Sequence, residues 1–394
     1  MTVEKKIQTF PQAPEGAQRR LKKIAAKLGL LLFGVFASLG LAEIVLRVFL
    51  PYRYSLEVEY LPDGHLGARL RPERTYRTPT GGKASINNLG YRGAETVFYE
   101  KPSGVFRIVA LGGSSTFSHD TDDSRIWTAL LERRLRDAFG PEIEVINAGI
   151  PGHDSFESMI HYQYRVRGMS PDAVLVCSIW NGMKRFRALE AGVPILKGVK
   201  RPHRLERFLK NFQIAWRVRN FHHQYVKPRL RENVYSESLG SPAVAIRHGG
   251  RAHEWERRTY RDLALLLHVD GVLPVFISEG GLLSRETLQD PKVRAVVYAE
   301  LQGLTFSQIL EQWEAVTAII REVAQEHGAV FIDAYHDLGH SLELFTDHVH
   351  LTDEGNAVMA NVVYEGLVAD ARFLEHVRLH RRNLQDRERA GMGP

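Results

Sequence analysis

One cysteine, Cys177, occurs in 394 residues. A lone thiol closes no internal disulfide and leaves no cysteine-based metal cluster. It sits between the apolar residues Ala173–Val176 and Ile179–Trp180, a setting that predicts a buried strand thiol rather than a reactive one. The lack of disulfides does not exclude an extracytoplasmic location, because a large core stands without them. Internal repeats and low-complexity tracts are also missing. No Gly-x4-Gly-Lys-[Ser/Thr] loop is found, so a P-loop phosphate site is not expected.

Positive charge is not general either. The formal net charge is +6, but between Met183 and Arg231 there are fourteen Lys/Arg against two Glu, Glu190 and Glu206. The rest of the chain is therefore net acidic. This excludes a uniformly basic nucleic-acid binder and marks a localised basic insertion at 183–260. What is present is an ordinary globular composition, 44% hydrophobic and 25% charged, with enough apolar surface for a real core.

Residues 1–27 are polar and basic, ending in Arg19, Arg20, Lys22, Lys23 and Lys27. Residues 28–50 are apolar except for Glu43 and Arg47, which are four apart and able to pair on one helix face. As a helix this stretch reaches about 34 Å, enough for a hydrocarbon core of about 30 Å. Positive charge before the span predicts a cytoplasmic N-terminus and an extracytoplasmic body. The small-x-small triplet Gly40-Leu41-Ala42 also fits a cleaved signal peptide, and a buried amphipathic helix is the third reading.

Residues 51–105, rich in Gly, Pro and polar side chains, predict an irregular lead-in with short strands. Asn87–Gly93 has the chemistry of a turn. Strands are expected at Phe106–Leu111, Glu144–Asn147, Ala173–Trp180, Gly271–Ser278 and Ala329–Asp333. Helices are expected at Trp127–Phe139, Phe156–Arg167, Thr305–His327 and Thr352–Ala369, the last capped by Thr352. Strands alternating with helices, and runs apolar on both faces, predict a three-layer α/β domain with a central parallel sheet over 106–370. The basic tail 371–394 is expected to end in a frayed helix over its last twenty residues.

In such sheets the working loops leave the carboxyl ends of the strands. Ser114 follows two glycines at one such end, and Asp347 and His350 are three apart, within reach of one short turn. A serine needs a base and oxyanion donors to act as a nucleophile, and a histidine held by a carboxylate is the usual base near neutral pH. Taken singly, a plain glycine turn and a structural surface histidine account for these motifs equally well. A second cluster, Asp333, His336, Asp337 and His340, has residues of metal-ligand type but reads better as a polar loop.

Taken in order, Leu111-Gly-Gly-Ser-Ser-Thr-Phe117, Asn147-Ala-Gly-Ile-Pro-Gly-His153, Ile179-Trp-Asn-Gly182 and Asp347–His350 resemble the sequence blocks of the SGNH/GDSL hydrolases. The match covers roughly residues 85–182 and 265–370. The span with Glu43 and Arg47, followed by Asn88-Leu-Gly-Tyr-Arg-Gly93, looks like a membrane-anchored branch of that family. The resemblance implies a flavodoxin-like SGNH fold. It implies Ser114 as nucleophile, His350 as base and Asp347 as its orienting acid, and it implies an oxyanion hole from the N–H groups of Ser114 and Gly152 and the side chain of Asn181. It departs at Gly113, where the family often has aspartate, at the third block, which lacks its usual glycine, and at Gly182, where an acidic residue is common. The Gly-x-Ser-x-Gly elbow of α/β-hydrolases is absent around Ser114.

The function expected is an extracytoplasmic esterase without cofactor or metal, acting on an acylated small molecule or de-O-acylating an envelope glycan. An O-acyltransferase and a non-catalytic glycan-binding module are the rivals. Leu205, Phe208, Leu209, Phe212 and Trp216 fall on one helical face of the insertion. That face fits packing on the catalytic body, with a glycan-gripping lid or a membrane-surface helix as sharper readings. No nucleic acid is expected as a partner, and no oligomeric state is implied.

Overall fold

A computed structural model describes residues 15–49, 58–78, 81–95, 97–190, 214, 249–297 and 305–389. The amphipathic face at 205–216, apart from Ile214, lies outside the described residues, as does the side chain of Arg47.

Two compact units divide the chain. One comprises Met1–Tyr52 with Arg201–Tyr235. Its described part is helix α1, Glu15–Phe49. Within it Lys22–Leu46 is long and apolar enough to cross a membrane, with mean hydropathy 2.2 and none of that window buried. Leu30, Phe33, Phe36 and Leu41 are exposed along it. The anticipated Glu43–Arg47 pair lies outside the described side chains; the Glu43 carboxylate accepts the backbone N–H of Ile214 at 3.0 Å.

The second unit is the α/β body. Strands β5 (Phe106–Gly112), β6 (Ile143–Asn147), β7 (Ala173–Cys177), β8 (Leu273–Ile277) and β9 (Val330–Ile332) form one sheet in the order β6-β5-β7-β8-β9, all neighbours parallel. β5, β7 and β8 are buried along their whole length, as expected for strands covered on both faces. Helices α3 (Trp127–Phe139) and α10 (Asp353–Ala369) pack together on one side. Helices α5 (Trp180–Glu190), α6 (Arg251–Val269) and α8 (Phe306–Glu326) pack on the other, and α7 (Pro291–Val296) and α9 (Ala334–Asp337) are short. Thr352 caps α10 through the N–H of Gly355, as its sequence position suggested.

Three local expectations change. The helix anticipated over Phe156–Arg167 is α4 (Ser155–His161), opened by an Asp154–Glu157 capping box and continued by a π turn and a 3-10 turn. The strand anticipated to run to Trp180 stops at Cys177. The N–H groups of Ile179 and Trp180 bond to the Glu279 carboxylate, both at 2.6 Å, which turns the chain into α5. The basic C-terminal stretch is helix α11 (Ala371–Arg389), with Phe373 and Val377 buried and Phe106 meeting Phe373 edge-on.

The lead-in is not a spacer. Its hairpins β1 (Tyr60–Asp63)/β2 (Gly67–Leu70) and β3 (Arg74–Arg77)/β4 (Lys83–Ile86) are antiparallel. Val58, Leu66, Leu70, Ala84 and Ile86 form a small core with Phe117 and Ile150, next to the proposed nucleophile and oxyanion turns. The Tyr60 hydroxyl donates to the Pro151 carbonyl at 3.3 Å. Arg92, from the Asn87–Gly93 turn, is buried and pairs with Asp123 at 2.9 Å while its guanidinium covers the Phe117 ring.

Candidate active site

β5 ends at Gly112 and the four-residue helix α2 (Ser114–Phe117) starts at once, with Gly113 at its N-cap. Ser114 is thus the first helical residue at the carboxyl edge of a central strand. Asn147, closing β6, holds that turn from the side. Its amide donates to the Thr116 carbonyl at 2.7 Å and to the Thr128 hydroxyl at 3.0 Å.

Asp347 and His350 lie in a tight loop between Phe345 and Leu351, closed by Thr346 N–H donating to the His350 carbonyl at 2.8 Å. Asp347 Oδ1 accepts from the N–H groups of Val349 and His350, both at 2.9 Å. Those bonds fold the loop so that Asp347 Oδ2 meets His350 Nδ1 at 2.7 Å. His350 Nε2 in turn stands 2.7 Å from Ser114 Oγ. With Nδ1 protonated toward the carboxylate, Nε2 is free to accept the serine proton, a tautomer assigned from the network.

Electrostatics favour the same polarity. Burial works against charge on Asp347, but the His350 imidazole facing it, the bonds from His350 and the nearby His348 hold the carboxyl well below the usual carboxylate range. For His350 burial again opposes charge, and Asp347 outweighs it, so the imidazole sits above its ordinary value. Asp120 and Glu279 add to the rise. His348 is placed differently. It is buried against the Trp180 ring at 4.0 Å, and its Nδ1 is 3.6 Å from Asp347.

Gly152 has φ +93°, a left-handed conformation in which a side chain is strained, and nothing lies within 4 Å of where its Cβ would be. Asn181 occupies the first turn of α5, its amide donating to the His153 carbonyl at 2.9 Å. Asn181 and the His153 carbonyl both meet the residue before Ser114. A Cβ on Gly113 would stand 2.5 Å from Asn181 Nδ2 and 2.9 Å from the His153 carbonyl. The glycine found where aspartate is common in the resembling family is therefore what admits Asn181 to this turn. The arrangement brings a hydroxyl, an imidazole, a carboxylate, a side-chain amide and glycine backbone to one edge of the sheet.

Glu279 escaped the sequence reading. It follows β8 and is buried beneath the site, accepting the Ser115 hydroxyl on Oε1 and the N–H groups of Ile179 and Trp180 on Oε2. Its position just past a parallel strand was the available signal, but a lone carboxylate there names no partner. His119, also missed, places its ring 5.7 Å from that of His350.

The Asp333–His340 cluster disperses. Asp333 takes the Ser278 hydroxyl at 3.0 Å and pairs with His336 and Arg321, whereas His340 bonds to the Gly281 carbonyl at 2.6 Å. Among the described residues no three His, Cys, Asp or Glu side chains are grouped to hold a metal ion. Cys177 is buried and free, and burial pushes its thiol up.

No protein-family model and no curated protein matches the chain. Solved structures do. An α/β hydrolase from the metagenome of Lake Arreo, Spain, is 14% identical, covering 68% of this chain and 96% of its own at a TM-score of 0.40. The acetylxylan esterase Axe2 from Geobacillus stearothermophilus is 16% identical over 68% of this chain and 95% of its own, with a TM-score of 0.39. TesA is 13% identical over 66% and 97%, also at 0.39.

Proposed function

We propose that the chain is a membrane-anchored serine esterase of the SGNH/GDSL type. The observation that carries this reading is the continuous relay from Ser114 Oγ through His350 to Asp347, with both contacts at 2.7 Å. Ser114 attacks the ester carbonyl while His350 Nε2 takes its proton. The resulting oxyanion is received by the N–H groups of Ser114 and Gly152 and by Asn181 Nδ2. His350 returns the proton to the departing alcohol, and an acyl-Ser114 remains. Water, deprotonated by the same imidazole, then releases the acid and restores the serine. Asp347 holds the ring and stabilises its cation at each step.

The basic flank at Arg19–Lys27 and the apolar helix behind it support an extracytoplasmic body on a single anchor. That location, with the basic insertion, favours an O-acylated envelope glycan as substrate.

The test is active-site labelling of the body, residues 52–394, by a fluorophosphonate, with peptide mapping and turnover of a short-chain aryl ester. Label on Ser114, lost together with turnover in Ser114→Ala, is expected. A folded wild-type protein that takes no label on Ser114 overturns the reading.

A further inference from the structure

The most tightly held acidic side chain near the relay has no place in the reaction just described. Glu279 is 3% exposed, and its own backbone carbonyl is pinned by the Trp313 indole N–H at 2.9 Å. Its carboxylate accepts three donors from two separate turns. Oε1 takes the hydroxyl of Ser115, the residue after the nucleophile. Oε2 takes the N–H groups of Ile179 and Trp180, the two residues before Asn181. Those two backbone donors cannot reverse, so Oε2 must stay unprotonated to receive both.

We infer that Glu279 is a positioning residue: one buried carboxylate ties the turn bearing Ser114 to the turn bearing Asn181. This rests on the serine-esterase reading of the same site. The physical argument is that nucleophile and oxyanion donor lie on turns that follow different strands, β5 and β7, whose ladder ends at Gly112 and Cys177, with the Thr116 hydroxyl donating to the Cys177 carbonyl at 3.2 Å just beyond it. Past that last pair nothing in the sheet fixes the distance between them, and a misplacement of about 1 Å costs on the order of 10²-fold in rate. A shared acceptor with three charge-assisted bonds fixes it.

The groups facing Glu279 are His350, Cys177 on β7 and Tyr260 on α6, the last two being neutral when protonated. Burial raises the Glu279 carboxyl, and the Ser115, Trp180 and Ile179 donors oppose that rise. His350 faces Asp347, Asp120 and Glu279, so removal of the charge on Glu279 should lower the imidazole while the other two remain.

Glu279→Gln keeps the shape. Its oxygen can serve the two backbone donors, and its amide can donate to Ser115, whose hydroxyl turns to accept. Glu279→Ala and Ser115→Ala break the tie from either end. Two readouts decide. In Glu279→Gln the His350 imidazole, followed by NMR titration, is expected to titrate at lower pH than in wild type, and the acid limb of kcat/KM to move with it. In Glu279→Ala kcat is expected to fall roughly 10²-fold with KM little changed, and Ser115→Ala to fall less. If Glu279→Ala fails to fold, Glu279→Gln and Ser115→Ala carry the test. An unshifted His350 titration in Glu279→Gln, or folded Ala variants with wild-type kcat, overturns the inference. The NMR titration needs no turnover, so it answers even if Ser114 takes no fluorophosphonate and the esterase reading fails.

Discussion

Gly113 and Asn181 touch: the side-chain nitrogen of Asn181 lies 2.5 Å from where a Cβ of residue 113 would be. No side chain fits there unless the amide withdraws and the His153 carbonyl, 2.9 Å away, gives way. Gly113→Ala is therefore expected to leave the fold intact and to lower kcat by roughly 10²-fold, the cost of one displaced oxyanion donor. Steady-state kinetics beside a melting curve checks this. Unchanged kcat in a folded Gly113→Ala would mean that Asn181 does not serve the oxyanion from this position.

The Asp347–His350 pair sets a pH window. The His350 imidazole is raised above its ordinary value, so kcat/KM is expected to climb through an acid limb above pH 6.5 as the base is freed. The two groups contribute to stability with opposite pH dependence. The raised His350 contributes stability fully present below its unfolded value and lost as pH rises through its folded one. The depressed Asp347 contributes stability present above its unfolded value and lost only as pH falls through its folded one. Asp347→Asn is expected to reduce kcat by on the order of 10⁴-fold. A pH–rate profile with its acid limb below pH 6.5 would contradict the assignment.

Glu256 is a separate pH device. Buried at the start of α6, it takes the Ser155 hydroxyl at 2.6 Å beside the ion pair of Arg185 with Asp154. Burial, with Asp154 adding, pushes its carboxyl up to about 8, against the ordinary value of 4.5. Between those values the folded chain holds a proton that the unfolded chain has lost, so stability falls as pH rises, by up to about 1.4 kcal/mol per unit. Glu256→Gln removes this slope. Its Tm relative to wild type is expected to rise steadily from about pH 5 to about pH 8 and then level off. A constant difference across that range would sink the idea.

Arg92→Ala leaves the Asp123 carboxylate without its buried cation and uncovers Phe117 behind the nucleophile turn. Breaking one side of such a pair costs about 3–5 kcal/mol. A clear drop in Tm is expected, with slower labelling of Ser114. An unchanged Tm would show that the lead-in motif does not brace the site.

Removal of residues 1–51 is expected to move the protein from the membrane to the soluble fraction without loss of esterase activity, as checked by cell fractionation and by turnover of an aryl ester. Continued sedimentation with membranes would point to a second attachment in the body.

The segments that read well in the sequence are those whose structure is local. Trp127–Phe139 shows its buried stripe of Leu131 and Leu135 through spacing alone, and Thr352 announces α10 as a cap. The strands Phe106–Gly112, apart from Arg107, and Leu273–Ile277 are apolar on both faces, which by itself requires cover on both sides. Asp347 and His350 are three positions apart, so their carboxylate–imidazole contact is a short-range matter. What was not legible lies between distant positions. Ser114 and His350, 236 residues apart, are linked in the sequence only through the family resemblance, while Ser115 and Glu279, 164 apart, and Arg92 and Asp123, 31 apart, leave no signal of their contact. Spacing and composition determined the apolar helix, the alternating α/β pattern and the candidate groups. Only the packed sheet decided that they converge, because such contacts form where loop closure and core packing bring strand ends together, and neither leaves a local trace in the chain.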